Sequence, residues 1–308
     1  MSRPDAVLII GAGPLQCHAI KVAKKLGLYV LSTDGNSNAP GFAFADEHYV
    51  ISTYDVDAHI LLAAKRLCNA SHFNLQGVIC AGNDVAPTVS AIAYAARLPG
   101  IPPAVAKRTH NKAAVRQALD SAGLQHLQPQ WQLITPETPP ERLSLNTFPG
   151  KRAVVKPLSQ SASRGVRMVH NDAGLQQAMI QAMQYGTSML LEEQLYGTEH
   201  SAEILYDATG EVLWFNIVDR VFRYNAGVPL EIGHRNPSGL ANRHWADILD
   251  MLQRAAHALG VHWGPFKADI MLTEQGPKIL ECTARLSGGY DSQGTSLARG
   301  YDPTRILM

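Results

Sequence analysis

The stretch GPFKADIMLTEQGPKILECTAR, residues 264–285, decides how the second half of the chain is built. Two apolar runs, Gly264–Leu272 and Lys278–Thr283, flank Glu274, Gln275 and Gly276, which reads as an antiparallel hairpin closed by a three-residue turn. Asp269 and Glu281 are twelve positions apart with their midpoint in that turn, so the two carboxylates are expected opposite, or nearly opposite, each other. Like charges facing across a strand pair are destabilising, and a hard divalent cation bridging carboxylate oxygens to phosphates is a natural compensation. Thr283 and Arg285 follow two and four residues after Glu281 and share its face while the strand continues, which lets Arg285 meet an anion at the metal. The alternative is a solvated sheet face on which Arg285 pairs with a carboxylate.

Working outward, Ala202–Tyr206 and Val212–Val218 form a second hairpin across Asp207–Gly210, and helical periods near Ala173–Tyr185 and Ala241–Gly260 cover an antiparallel sheet. The first hundred residues read differently. Ala6–Ile10, Leu28–Ser32, Tyr49–Ser52 and Gly77–Cys80 alternate with helices through Lys25, from Val56 to Cys68 and from Val85 to Arg97, the pattern of a parallel sheet covered on both faces. A helix from Thr109 to Gly123 carries Lys112 and Arg116, and the proline-rich stretch with Pro129, Pro136, Pro139, Pro140 and Pro149 reads as a connection between domains.

Composition narrows the function. The 308 residues carry 27 Lys+Arg against 26 Asp+Glu, so no global field draws the chain to nucleic acid or anionic lipid. No apolar run approaches a membrane span or a signal-peptide core, which makes the cytoplasm the expected compartment. Cys17, Cys68, Cys80 and Cys282 are far apart and read as buried thiols. Gly11-Ala12-Gly13 with Asp34 imitates a dinucleotide fingerprint, but Gln16 replaces the third glycine and Pro14 removes an amide, so no nicotinamide binding is expected. More telling is Ala153–Pro157, an apolar strand that delivers Lys156 at its end and runs into the small-residue loop 158–165, able to lay amides and hydroxyls over phosphates. Met189–Leu195 is a second apolar strand running into acidic residues, followed by Gly197, Thr198 and Glu199.

In this order the elements resemble the ATP-grasp superfamily of carboxylate–amine ligases, over nearly the whole chain. The resemblance implies a Rossmann-like α/β pre-ATP-grasp domain (1–108) followed by an α+β ATP-grasp fold with antiparallel sheets, its two parts spanning 109–200 and 201–308. It implies that Lys112 and Lys156 contact ATP phosphates, that Ser163 lies in the covering loop, that Glu192, Glu193, Gln194 and Leu195 line the adenine site, and that Glu199 holds the ribose. Asp269 and Glu281 would ligate magnesium or manganese, with Thr283 where the family usually has a metal-binding Asn, and Arg285 at the reacting acyl phosphate. The implied reaction joins a small carboxylic acid or amino acid to an amine, with ADP and phosphate released. The Glu281, Arg285, Ser287, Gly288, Gly289 ending is similar to amino-acid ligases and to carbamoyl phosphate synthetase-like proteins, so bicarbonate is the competing acid and an inactive ATP-binding protein the competing class. Arg220, Arg223, His234 and Arg235 are candidates for the substrate carboxylate, with plain surface charge as the other reading. His18 and His257 read as structural. Asp302-Pro303 opens a helix close to Met308, so a missing carboxy-terminal segment is expected, and superfamily dimers through the amino-terminal domain leave a homodimer open.

Overall fold

A computed structural model describes residues 3–138, 143–158, 165–225, 228–288 and 290–308. The amino-terminal part runs β1 (Asp5–Ile10), α1 (Cys17–Lys25), β2 (Tyr29–Asp34), β3 (Glu47–Val50), α2 (Val56–Leu62), β4 (Asn74–Ile79) and α3 (Ala86–Ala95), and its four strands pair in parallel in the order β3-β2-β1-β4. The continuous apolar run of β1 is the physical cause. Ala6, Leu8 and Ile10 pack with Leu62, Leu67 and Ile92 on one face, while Val7 and Ile9 pack with Ala19, Ile20 and Ala23 on the other. In the glycine-rich turn after β1, Asp34 accepts the Ala12 N–H at 2.9 Å and Gln16 donates to the Ala81 carbonyl at 2.5 Å. The buried Gln16 side chain lies about where a Cβ on Gly11 would reach, so the turn is filled by the chain itself.

Next come α4 (Pro103–His110) and α5 (Lys112–Ser121), then β5 (Trp131–Ile134), β6 (Ala153–Pro157), β7 (Arg167–Val169), α6 (Asp172–Ala182) and β8 (Met189–Glu193). These strands form an antiparallel sheet in the order β5-β8-β6-β7. The rest of the chain is β9 (Thr198–Tyr206), β10 (Val212–Asn225), β11 (Val228–Arg235), α7 (Asn242–Leu259), β12 (Gly264–Thr273), β13 (Gly276–Thr283), α8 (Asp291–Arg299) and α9 (Pro303–Leu307). Its five strands are antiparallel in the order β11-β10-β9-β12-β13. Helix α7 presents Ile248, Met251, Leu252, Ala255, Ala256 and Leu259 at helical spacing to Ile204, Ile217, Phe266 and Ile270 of this sheet, which makes the largest core. Among the described residues no helix is long and apolar enough to cross a membrane.

The structure corrects the sequence reading in five places. The single helix expected over 109–123 is two, because Asn111 adopts an extended conformation and its side chain caps α5 by accepting the Ala114 N–H at 3.0 Å. The proline-rich connection contains the edge strand β5. The hairpin turn is two residues, Glu274 and Gln275, because Thr273 already pairs with Gly276. Cys68 is exposed and Cys17 half-buried; only Cys80 and Cys282 are buried, and burial pushes both of those thiols up to about 12. Finally, the boundaries drawn after residues 108 and 200 fall inside α4 and β9.

Gly197 enters β9 with φ +156°, and a Cβ there would stand 2.0 Å from the Leu272 carbonyl oxygen, whereas a Cβ on Gly77 meets nothing within 4 Å. Gly197→Ala is therefore expected to lower unfolding free energy in urea by more than about 2 kcal/mol, with Gly77→Ala within about 0.5 kcal/mol of wild type. Equal effects of the two substitutions would show that the close approach at β12 carries no weight.

Candidate active site

Two adjoining cavities open between the sheets. The smaller, of about 170 Å³, lies between the β6–β8 sheet and the β9–β12 sheet, with Val154, Met168, Leu195 and Met271 giving it an apolar end and Lys112, Lys156 and Glu199 a charged one. The larger, of about 370 Å³, is polar and lies between the carboxyl edge of the parallel sheet, which contributes Leu15, Tyr54 and Asp84, and the face carrying Lys267, Thr283 and Arg285. Arg220, Asp269 and Glu281 line both.

Asp269 faces Glu281 directly, as the twelve-residue spacing suggests, but by a different route. A two-residue turn alone would set Asp269 against Leu280; a β-bulge after Ile279 shifts the register by one and restores Glu281. The compensation for these two carboxylates is also different. Lys267 Nζ lies 2.5 Å and Arg220 Nη1 3.4 Å from the oxygens of Asp269, and Lys112 Nζ lies 3.1 Å from Glu281, so basic side chains meet the charge that a metal was invoked to neutralise. Burial opposes ionisation of Asp269, yet Lys267 and Arg220 hold its carboxyl below the usual range.

Lys156 arrives at the end of β6, and its Nζ is 2.6 Å from Glu192. Glu192 itself is turned away from the cavity: it is buried, and its other oxygen receives Arg116 Nε at 2.7 Å. It thus departs from the adenine-lining position expected of it, because a carboxylate on this face of β8 meets Arg116 from α5. Burial opposes its ionisation, but the charges of Arg116 and Lys156 bring the carboxyl down to about 2. Glu193, Gln194, Leu195 and Glu199 do line the smaller cavity. Glu193 also accepts the Gln130 N–H at 3.1 Å, and Glu199 lies 3.3 Å from Arg220, with burial raising its pKa. Thr283 donates to Asp84 at 3.2 Å, so its hydroxyl hydrogen is directed across to the parallel sheet, and Arg285 Nε is 3.6 Å from the same Asp84 oxygen. Ser163 and Gly289 lie outside the described residues. Arg220 and His234 line the larger cavity, whereas Arg223 is exposed and Arg235 is an exposed partner of Asp219. His18 bonds Asp302, which caps α9.

Several members of the site escaped the sequence reading. Asp84 carried one signal, its place after a parallel strand, the edge where open α/β sheets bind ligands. Burial opposes its ionisation, but His110 and Arg285 hold it well below the carboxylate range. Arg116 stands one helical turn after Lys112, and Glu203 is the one charge inside the strand run 201–206; both patterns were readable. Glu231 and Asp291 carried no signal, since only the fold brings them to His234.

Two antiparallel sheets thus clasp the smaller cavity, with Lys156 on one and the facing Asp269 and Glu281 on the other. Residues 150–293 match the family model described as ATP-grasp domain. An uncharacterized protein of Sinorhizobium fredii is 30% identical over 239 residues, which cover 75% of this chain and 47% of that protein. D-alanine–D-alanine ligase of Pseudomonas putida is 26% identical over 136 residues, covering 44% of this chain and 42% of the ligase. The match thus spans less than half the length of either relative. The crystal structure of L-amino acid ligase from Bacillus licheniformis superposes with a TM-score of 0.77 at 21% identity, covering 100% of this chain and 74% of that one, a likeness of fold.

Behind the larger cavity, Glu203 of β9 is buried and accepts the Ser287 N–H at 2.7 Å. Burial first, and then the Asp291 charge, push its pKa up from 4.5 to about 7. A carboxyl whose folded pKa exceeds its unfolded value costs stability as pH rises between the two, so the contribution of Glu203 turns unfavourable from about pH 4.5 to 7. Glu203→Gln keeps an acceptor for Ser287 without the charge. Urea unfolding should find this variant more stable than wild type at about pH 8, by up to about 3 kcal/mol, with the gain vanishing near pH 4; a gain independent of pH would refute the assignment.

Proposed function

We propose that the chain is an ATP-dependent carboxylate–amine ligase. The observation that carries this reading is the convergence of Lys112, Lys156, Glu199, Asp269 and Glu281 on one cavity that opens, past Arg220, into a second polar one. The match to the ATP-grasp domain model and the likeness to ligases support it. In this reading the parallel sheet is the Rossmann-like pre-ATP-grasp part and supplies Asp84 to the acid's cavity.

The two facing carboxylates fit magnesium. That ion commonly takes one or two protein carboxylates and completes its shell with water and substrate phosphate, so the absence of any three-residue His/Cys/Asp/Glu cluster among the described residues does not conflict with it. Asp269 and Glu281 would hold it; Thr283 gives its hydroxyl hydrogen to Asp84, which leaves the oxygen's lone pairs open to the ion. When bound, magnesium would neutralise charge on the phosphates.

The chain's own residues do the rest by position and charge. The apolar end of the smaller cavity takes the adenine, Glu199 the ribose, and Lys112 and Lys156 the phosphates. A carboxylate oxygen of the acid attacks the γ-phosphorus as the bond to the β–γ bridging oxygen breaks; ADP leaves and an acyl phosphate remains. Arg285, steadied by Asp84, faces that acyl phosphate. The amine nitrogen then attacks the acyl carbon, inorganic phosphate departs, and the surplus amine proton passes to solvent. A cavity of about 370 Å³ is larger than bicarbonate requires, which favours an amino acid or another small organic acid.

The test is ADP release from magnesium-ATP, with and without pooled amino acids, other small carboxylates and bicarbonate. We expect release that depends on an organic acid and an amine and falls at least about 100-fold in Glu281→Ala and Lys156→Ala. Release with bicarbonate alone would make the acid bicarbonate. Tight nucleotide binding with no acceptor-dependent ADP would make the protein a nucleotide-binding module and remove the ligase reading.

A further inference from the structure

A chain of alternating charges runs along the wall of the larger cavity. Asp291, the buried first residue of α8, bonds His234 Nδ1 at 2.5 Å. His234 Nε2 bonds Glu231 at 2.6 Å, and Glu231 takes Arg220 Nε at 2.7 Å and Nη2 at 3.2 Å. Arg220 Nη1 then reaches Glu199 at 3.3 Å and Asp269 at 3.4 Å, in the smaller cavity.

The backbone is shaped for this contact. Glu231 and His234 are three apart on β11 and in a regular strand would point to opposite faces. A β-bulge between the pairs Val221–Gly233 and Phe222–Glu231 brings both to the side of Arg220, with His234 directly opposite it. An imidazole with a carboxylate on each nitrogen bonds both only as the doubly protonated cation, and the two hydrogen bonds, Asp291 first, raise His234 to about 9.

We propose that His234 is a positioning residue that ties the start of α8 to Arg220 and so sets the wall the two cavities share. Without it, Glu231 and Asp291 lose their common cation, and Arg220 keeps Glu231, Glu199 and Asp269 but has no tie to α8. The inference rests on the ATP reading only for the choice of ligand; the ionic chain itself stands on the geometry.

Three measurements test it. His234→Ala should weaken magnesium-ADP binding by about fivefold or more, and added imidazole should restore much of the loss. In a double-mutant cycle, Arg220→Lys and His234→Ala should be non-additive, the double variant binding little worse than Arg220→Lys alone. If His234→Ala does not fold, Asp291→Asn takes its place in the cycle. Unchanged affinity, additive losses, or a loss that imidazole leaves untouched would overturn the proposal. If the wild type binds no magnesium-ADP, the nucleotide reading falls on its own, and the same cycle read by urea unfolding decides the inference: non-additive losses support the chain and additive ones overturn it.

Discussion

The site hangs on one buried guanidinium. Arg116 Nε bonds Glu192 on β8, while Nη1 and Nη2 donate to the carbonyls of Ile279 and Leu280 at 2.9 and 2.7 Å. One side chain of α5 thereby joins the smaller antiparallel sheet to the edge of the larger one. Glu192 carries the link onward to Lys156, so the lysine's direction and the hairpin's edge are set by the same group. A buried pair of this kind adds little net stability over well-packed apolar residues, yet losing one partner costs about 3–5 kcal/mol. Its role is to specify an arrangement: the carbonyls that Arg116 binds lie at the bulge that turns Glu281 toward Asp269.

The bulges also explain what the sequence could and could not disclose. The alternation of apolar runs and helical periods made the parallel and antiparallel halves legible, because burial on two faces or one is written directly in residue type. The pairing of Asp269 with Glu281 was legible too, though by an argument with a compensated error. The turn is one residue shorter than its glycine suggested, and the bulge supplies the missing residue. Periodicity assumes a regular ladder, and an inserted residue is invisible to it. At Glu231 and His234 the same blindness had the opposite result, since a spacing of three gave no reason to put them on one face.

The remaining omissions share a different cause. Asp84 meets Thr283 and Arg285 about 200 positions away in the chain, and Arg116 meets Glu192 at a separation of 76, distances over which no local pattern operates. Glu192 was placed at the adenine site by the resemblance, which carries over a motif position without its surroundings; the arrival of α5 turns that face of β8 into an interior. The break at Asn111 belongs to the same group. The single helix expected over 109–123 would have carried His110 and Lys112 together, but the cap at Asn111 separates them and aims His110 at Asp84, after β4, and Lys112 at Glu281 of β13.

What results is a site whose charged groups are paired with one another. Among the described residues, the smaller cavity is lined by Glu193, Glu199, Asp269 and Glu281 against Lys112, Lys156 and Arg220, one more acidic group than basic. A bare polyanion entering it would meet the facing carboxylates, whose repulsion in a low-dielectric cleft is far stronger than in water. On the proposed reading, Asp269 and Glu281 would hold a hard dication that neutralises charge on the polyanion, and Lys112 and Lys267 would then turn to anionic oxygens. On the proposed reading, the internal ion pairs therefore act as a selection rule: they hold lysines and carboxylates in place and favour metal-bound nucleotide over free nucleotide. Arg220 is central to this arrangement: among the described residues it is the cation common to both cavities, and it would keep Glu231 and Glu199 as partners if Asp269 held a metal.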